Sequence, residues 1–371
     1  ELFDLAGVQH HDPVGHGLRA FGLTQQARIP EAIDGFRKCI RCLPNNNAAW
    51  SNMLFASLYG DHHHAMDVTQ LHQEAGRAIQ QNVVGAHQLL RANPRFPGEP
   101  DASVFRQMPR GRPLRIGYLS GDLKKHPVGY FLRSILAHHD RTQFDVTCYD
   151  IGAGEDELTT ILRQTSHHWC NARQMSDDQL LKQIRDDQID LVIDLSGHSS
   201  GNRAAVITRR AAPVQATWIG YPCTTGLPSM DFIISDNHVS PPEFDDLYTE
   251  RVQRLDNCFL CFHPHDDAPA IAPPPCQANG FITFGSFNNL PKISPTTVKL
   301  WSDILHEVPD ARLAIKALSF VDVGTRDLFH DQFQAHNIDR SRIDLLPPTV
   351  PLAKFLDEYR RIDIALDPIP Y

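Results

Sequence analysis

Two loop histidines, a lysine and a glycine-bounded aromatic segment are the side chains in this sequence best placed to do chemistry. His126 follows the apolar run Leu114–Leu119 and the turn-forming Ser120-Gly121-Asp122, and it stands directly before Pro127. Open α/β sheets hold their ligands outside the carboxyl ends of the strands, where such a loop lies. The ordinary pKa of an imidazole suits it to take a proton from a hydroxyl; a solvated surface histidine is the plainer alternative. Lys292 closes Phe287-Asn288-Asn289-Leu290-Pro291-Lys292, between a strand and a helix for which Ser294 is a good N-cap and Pro295 a good first residue. A helix N-terminus offers unpaired N–H groups and partial positive charge. Lysine adds a full charge that is unfavourable there without an anion. The combination suits a diphosphate. His198, in Asp194-Leu195-Ser196-Gly197-His198-Ser199-Ser200-Gly201, is a second loop histidine on the same predicted sheet edge as His126. Trp218-Ile219-Gly220-Tyr221-Pro222, running into Cys223-Thr224-Thr225-Gly226, supplies backbone N–H groups and small hydroxyls that can line a sugar pocket. Taken singly, each of these is also ordinary turn chemistry.

The elements that position these residues follow from hydrophobic period. Residues 1–95 read as helical and fit a tetratricopeptide register, in which helix–turn–helix units repeat every 34 residues or so. With Pro44 closing one unit, Ala32, Phe36 and Cys39 take inner-helix positions, Ala20 the small position where two helices cross, and Trp50 and Met53 the large positions opening the next unit. Residues 96–113 are a Pro/Gly linker. An α/β region spans 114–262, with strands expected at Leu114–Leu119, Phe144–Tyr149, Asp190–Leu195, Val214–Ile219 and Phe232–Ser235. A proline-rich stretch, 263–280, precedes a second α/β region over 281–371 that looks unfinished at Tyr371. Strands alternating with helices mean parallel sheets. Two doubly wound domains suggest a cleft between them.

Composition narrows the class. A net charge of −9 argues against a nucleic-acid partner. No apolar run reaches membrane-spanning length, and no signal peptide opens the chain, which starts at Glu1 and reads as a piece of something longer. Cys39/Cys42 and Cys258/Cys261 each have Cys-x-x-Cys spacing, but nothing brings the pairs together, so thiols in a reducing cytoplasm are expected rather than a metal. His62-His63-His64 reads as an exposed loop. No Asp-x-Asp is present, so no carboxylate metal clamp is indicated.

An ordered series carries a more specific signal. Arg115-Ile116-Gly117-Tyr118 with His126-Pro127, then Ala212-Pro213-Val214-Gln215, Trp218-Ile219-Gly220-Tyr221-Pro222, Thr225-Gly226, Met230-Asp231, Phe287-Asn288-Asn289 with Lys292-Ile293, and Leu366-Asp367 resemble the O-linked N-acetylglucosamine transferase (SPINDLY-like) family. The resemblance implies a GT-B glycosyltransferase: two Rossmann-like domains, the first on the acceptor side and the second for the nucleotide sugar, preceded by tetratricopeptide-like helices. It implies inverting, metal-independent transfer of N-acetylglucosamine from UDP-GlcNAc to Ser or Thr of proteins in the cytoplasm. The nucleotide sugar is substrate, no cofactor is expected, and the acceptor protein or peptide lies along the repeat surface. GDP-fucose or a nonulosonic acid nucleotide is the alternative donor; a repeat scaffold with an inactive transferase half is the alternative class. By resemblance His126 is the catalytic base or an essential polar group. Lys292 holds the diphosphate, Asn289 stands for a donor-binding glutamine, and Ile219, Gly220 and Pro222 lie beside the donor sugar. His198 stands where animal enzymes have tyrosine, and Pro291 replaces an aromatic; both bear on the choice of sugar.

Overall fold

A computed structural model describes residues 12–61, 65–83, 111–265 and 268–369. His62–His64 and most of the 96–113 linker lie outside the described residues. Four helices come first: α1 (Pro13–Gln25), α2 (Ile29–Cys42), α3 (Asn47–Ser57) and α4 (Ala65–Asn82). Asp12 caps α1 through its carboxylate, and Pro13 occupies the first turn, where a missing N–H does no harm. Ala32, Phe36 and Cys39 all face inward on α2, and Ala20 of α1 lies where Gly35 of α2 lets the two backbones close. Trp50 and Met53 are buried on α3.

Two parallel sheets follow. The first comprises β1 (Leu114–Ser120), β2 (Phe144–Asp150), β3 (His168–Asn171), β4 (Leu191–Asp194), β5 (Val214–Thr217), β6 (Phe232–Asp236) and β7 (Arg251–Leu255), in the order β3-β2-β1-β4-β5-β6-β7. Between its strands run α5 (Pro127–His138), α6 (Glu157–Thr165), α7 (Asp177–Asp186) and α8 (Ala204–Thr208). The order reverses between β1 and β4, so the loops after those two strands border the switch point where such sheets take ligands. Val128, Leu132 and Leu136 repeat on one face of α5 and pack on Ile116, Tyr118 and Val146 of the sheet.

The second sheet holds β8 (Thr283–Ser286), β9 (Arg312–Lys316), β10 (Ile343–Leu346) and β11 (Ile364–Ala365), in the order β10-β9-β8-β11. Helix α9 (Cys276–Asn279) precedes it, and α10 (Pro295–Glu307), α11 (Val323–Ala335) and α12 (Leu352–Asp357) connect its strands. Here the reversal falls between β8 and β11. Val298, Trp301 and Leu305 form the inner face of α10.

The chain divides into two compact units. The first contains the described parts of Glu1–Cys42, Ala56–His63 and Pro264–Tyr371; the second contains those of Leu43–Phe55 and His64–His263. The helices expected over 1–95 are therefore shared out, α1 and α2 going with the second sheet and α4 with the first. The sequence reading needs correction at two points. Strands β3 and β7 come from edge sequences, His168-Trp169-Cys170-Asn171 and Arg251-Val252-Gln253-Arg254-Leu255, that are too exposed to show as apolar runs. Phe259, Leu260 and Phe262 make an apolar run that suggests a strand, but the segment is irregular. The proline-rich stretch is mostly irregular too, apart from α9.

Candidate active site

In the second unit three loops border the carboxyl edge of the first sheet. The loop after β1 is pinned from behind: Asp156, the N-cap of α6, accepts the Lys125 N–H at 2.7 Å, and the Thr159 hydroxyl donates to the Leu123 carbonyl at 2.8 Å. His126 ends this loop as the N-cap of α5. Its Nδ1 accepts the Val128 N–H at 3.4 Å and lies 3.7 Å from Asp122 Oδ2. Burial lowers the His126 pKa, with Lys124 pushing the same way and Asp122 opposing. The neutral ring with its Nδ1 lone pair committed to the cap carries its hydrogen on Nε2. In this state His126 offers a hydrogen-bond donor to a ligand.

The loop after β5 is the most constrained. Gly220 N–H donates to the Trp218 carbonyl at 2.6 Å across Ile219, whose φ is +50°. This is a γ-turn of the rarer, positive-φ kind, centred on a β-branched residue. Such backbone costs about 1–3 kcal/mol and persists only when its surroundings impose it, most often at functional sites. The surroundings here are tight. A Cβ on Gly220 would stand 1.7 Å from the Leu195 carbonyl oxygen, and the Trp218 indole N–H donates to the Phe259 carbonyl at 3.0 Å. Ile219 and Gly220 are half-exposed and Pro222 is exposed, so this segment is open to a ligand.

The loop after β4 places His198 differently from expectation. His198 is 1% exposed. Its Nε2–H donates to the Thr225 carbonyl at 2.7 Å, and its Nδ1 accepts from the Ser51 hydroxyl at 3.1 Å. With both nitrogens engaged inside the protein it presents no polar atom to a donor sugar, which corrects its assignment as a donor-binding residue. Ser51 lies 147 positions away in the chain, so no local pattern announces this burial. Asp194 shapes the same turn by accepting the Gly197 and Ser196 N–H groups at 2.8 and 3.2 Å.

Burial lowers the His198 pKa to about 4 and that of His72, also buried in this unit, to about 3. An unfolded histidine gains its proton below about pH 6.5, whereas these two stay neutral in the fold. Their contribution is therefore complete above that pH and is lost as pH falls toward 4. Asp194, raised to about 7 by burial, acts in the opposite sense. A His198→Asn variant should consequently show a flatter stability–pH curve, by about 1.4 kcal/mol per pH unit between pH 4.5 and 6. Urea titrations of both proteins across that range measure it; parallel curves would contradict the assignment.

In the first unit, the segment after β8 carries Asn288, Asn289 and Lys292, and Asp367, two residues after β11, is close by. Asn288 Nδ2–H donates to Asp367 Oδ1 at 3.2 Å. Lys292 is half-buried, and burial lowers its pKa against the pull of Asp367. Asn289 is exposed. Asp367 thus joins the switch-point group, although its sequence signal was only the pair Leu366-Asp367. Ser294 caps α10 and Pro295 starts it, as expected. The expected open helix end is absent, however. Thr296 N–H donates to Asp61 at 3.0 Å and Thr297 N–H to the Ser294 hydroxyl at 3.1 Å. The donors of the first turn are taken within the chain.

Among the described residues no group of three or more His, Cys, Asp or Glu is arranged to hold a metal, and no helix is long and apolar enough to cross a membrane. Residues 96–267 match the sequence pattern of glycosyl transferase family 41. The probable UDP-N-acetylglucosamine–peptide N-acetylglucosaminyltransferase SPINDLY of Arabidopsis thaliana is 38% identical over 264 residues, 70% of this chain and 29% of that protein. Its counterpart in Oryza sativa subsp. japonica is 33% identical over 343 residues, 91% of this chain and 35% of that one. The chain thus spans roughly a third of the length of these curated relatives. A solved structure of a mutant O-GlcNAc transferase from Thermobaculum terrenum matches all of it, with TM-score 0.88 and 33% identity, over 68% of that chain. The architecture of N-terminal helices with two Rossmann-like α/β units is that of the GT-B fold.

Proposed function

Because this chain belongs to glycosyl transferase family 41, the family of the O-GlcNAc transferases, we propose that it serves a protein O-glycosyltransferase moving N-acetylglucosamine from UDP-GlcNAc to Ser or Thr of a cytoplasmic acceptor. The observation that carries the reading is Lys292. It is a half-buried cation at the switch point of the second sheet, its charge disfavoured by burial and so favoured by an arriving diphosphate. Asn289 lies on the same segment and contacts the donor. Ile219, Gly220 and Pro222 lie beside the sugar, and the strained γ-turn supports a binding role for that loop.

The acceptor hydroxyl attacks the anomeric carbon, the bond to the diphosphate breaks, and Lys292 offsets the charge that develops on the leaving oxygen. His126, with Nε2 protonated, orients a ligand oxygen as a hydrogen-bond donor. The hydroxyl proton then passes to another group or to solvent. This favours the essential-polar-group role over the base. The acceptor peptide runs along the helices, and transfer needs neither a cofactor nor a metal.

The test offers the full-length protein UDP-GlcNAc, GDP-fucose and a CMP-linked nonulosonic acid in separate reactions, each with and without EDTA. Turnover of UDP-GlcNAc unaffected by EDTA is expected, with co-expressed acceptor protein gaining the mass of one N-acetylhexosamine. Turnover of GDP-fucose instead would replace the donor. No turnover, with acceptor peptide still bound, would replace the enzyme by a scaffold. EDTA inactivation reversed by Mn²⁺ would overturn the metal-free reading.

A further inference from the structure

A seam of buried polar side chains in the second unit joins helix α4 to the loop after β5. His72 of α4 is fully buried, and its Nδ1–H donates to the Val68 carbonyl at 2.7 Å. That bond fixes the tautomer, so Nε2 is left to accept, and the Tyr221 hydroxyl donates to it at 2.6 Å. The Tyr221 ring stands edge-on to His198, with centroids 5.3 Å apart. The backbones close up beside this bond. A Cβ on Gly76 of α4 would lie 1.9 Å from the Gly226 carbonyl oxygen, and one on Gly226, whose φ is +66°, would lie 2.1 Å from the His72 carbonyl oxygen. Only glycine at both positions permits this approach.

We propose that His72 is a positioning residue for the donor loop: through the Tyr221 hydroxyl it fixes Ile219-Gly220-Tyr221-Pro222, so that a helix outside the sheet sets the geometry of the sugar site. The physical ground is the γ-turn two residues before Tyr221. A positive φ at Ile219 relaxes unless the chain on both sides is held. Phe259 holds Trp218 on the upstream side, and on the downstream side the Leu195 carbonyl backs Gly220 while the His72–Tyr221 bond fixes Tyr221. A buried hydroxyl with a satisfied ring-nitrogen partner is directional, whereas ring packing alone would tolerate rotation of the loop. The proposal rests on the assignment of this loop to the donor.

Three single variants and one double variant test it: Tyr221→Phe, which keeps the ring; His72→Leu, which removes the acceptor; His72→Gln, whose carboxamide can donate to Val68 and accept from Tyr221; and Tyr221→Phe combined with His72→Leu. Amide hydrogen exchange in the full-length protein is followed over residues 219–227, with β1 as internal control. Tyr221→Phe and His72→Leu should speed exchange there by about tenfold, as expected for a loop that has lost one fixing bond, while β1 stays unchanged. They should also lower kcat/KM for the donor by about tenfold without changing acceptor KM. His72→Gln should restore both, and the Tyr221→Phe/His72→Leu double variant should be no worse than either single change. Unchanged exchange over 219–227 in Tyr221→Phe would overturn the proposal, as would faster exchange with unchanged donor kinetics. Should His72→Leu fail to fold, Tyr221→Phe still decides. Should the wild-type protein turn over no nucleotide sugar, the functional reading falls, and the exchange measurement still settles whether His72 holds the loop.

Discussion

Lys292→Ala is expected to lower kcat by about 10²–10³-fold, the range for removing one preorganised charge contact from a transition state. The structure sharpens this expectation. At the start of α10 the Thr296 and Thr297 N–H groups are occupied by Asp61 and Ser294, so neither can substitute for the lost ammonium. Lys292 is half-buried, and Asp367 favours its charge. Stability should change little, because the side chain is only half-buried. Single-turnover measurements with UDP-GlcNAc, alongside a thermal melt, check both statements. A folded variant with wild-type turnover would remove the diphosphate assignment and leave the second sheet without a catalytic contribution.

Asp231→Ala is expected to destabilise the protein by about 3–5 kcal/mol, the cost of stranding a buried charge. Asp231 Oδ2 pairs with Arg210 Nη1 at 2.5 Å, with side chains 1% and 6% exposed, and it also accepts the Gln215 N–H at 2.8 Å. Removing the carboxylate leaves the Arg210 guanidinium inside the fold without its counter-charge. Replacing both partners, as in Arg210→Met/Asp231→Leu, should recover most of the loss, since a buried pair exchanged for apolar side chains is often close to neutral. Urea unfolding at pH 7 measures each variant. A loss below about 1 kcal/mol for Asp231→Ala would mean that the pair behaves like a surface ion pair.

That pair also explains part of the sequence series. Gln215 donates through Nε2 to the Ile207 and Ser229 carbonyls, at 3.0 and 2.7 Å, and accepts the Ala211 N–H at 2.8 Å. Gln215 and Asp231, both buried, therefore stitch β5 to its flanks. A motif identifies the family without distinguishing the residues that build the scaffold from those that face the substrate.

The strands at the centre of each sheet were legible because burial on both faces makes them continuous apolar runs, as in Ile116–Leu119 and Leu313–Ile315. The cap at Ser294 was legible because capping is local chemistry. The edge strands of the first sheet escaped notice because half-exposed Arg251–Leu255 alternates with little contrast. The burial of His198 and the partnership of His72 with Tyr221 depend on residues well over a hundred positions apart, and no window of sequence contains both ends. The same holds for Asp61 and Thr296, whose meeting cancels an inference that was sound for an isolated helix.

The Asp61 contact has a practical side. Inorganic phosphate and sulfate commonly settle at the beginnings of helices, and here that berth is already filled by the chain's own carboxylate. On the proposed role of Lys292, buffer anions that compete with a nucleotide sugar do so at its side chain, and inhibition by phosphate gauges how much of the donor's grip on this unit comes from a single amine.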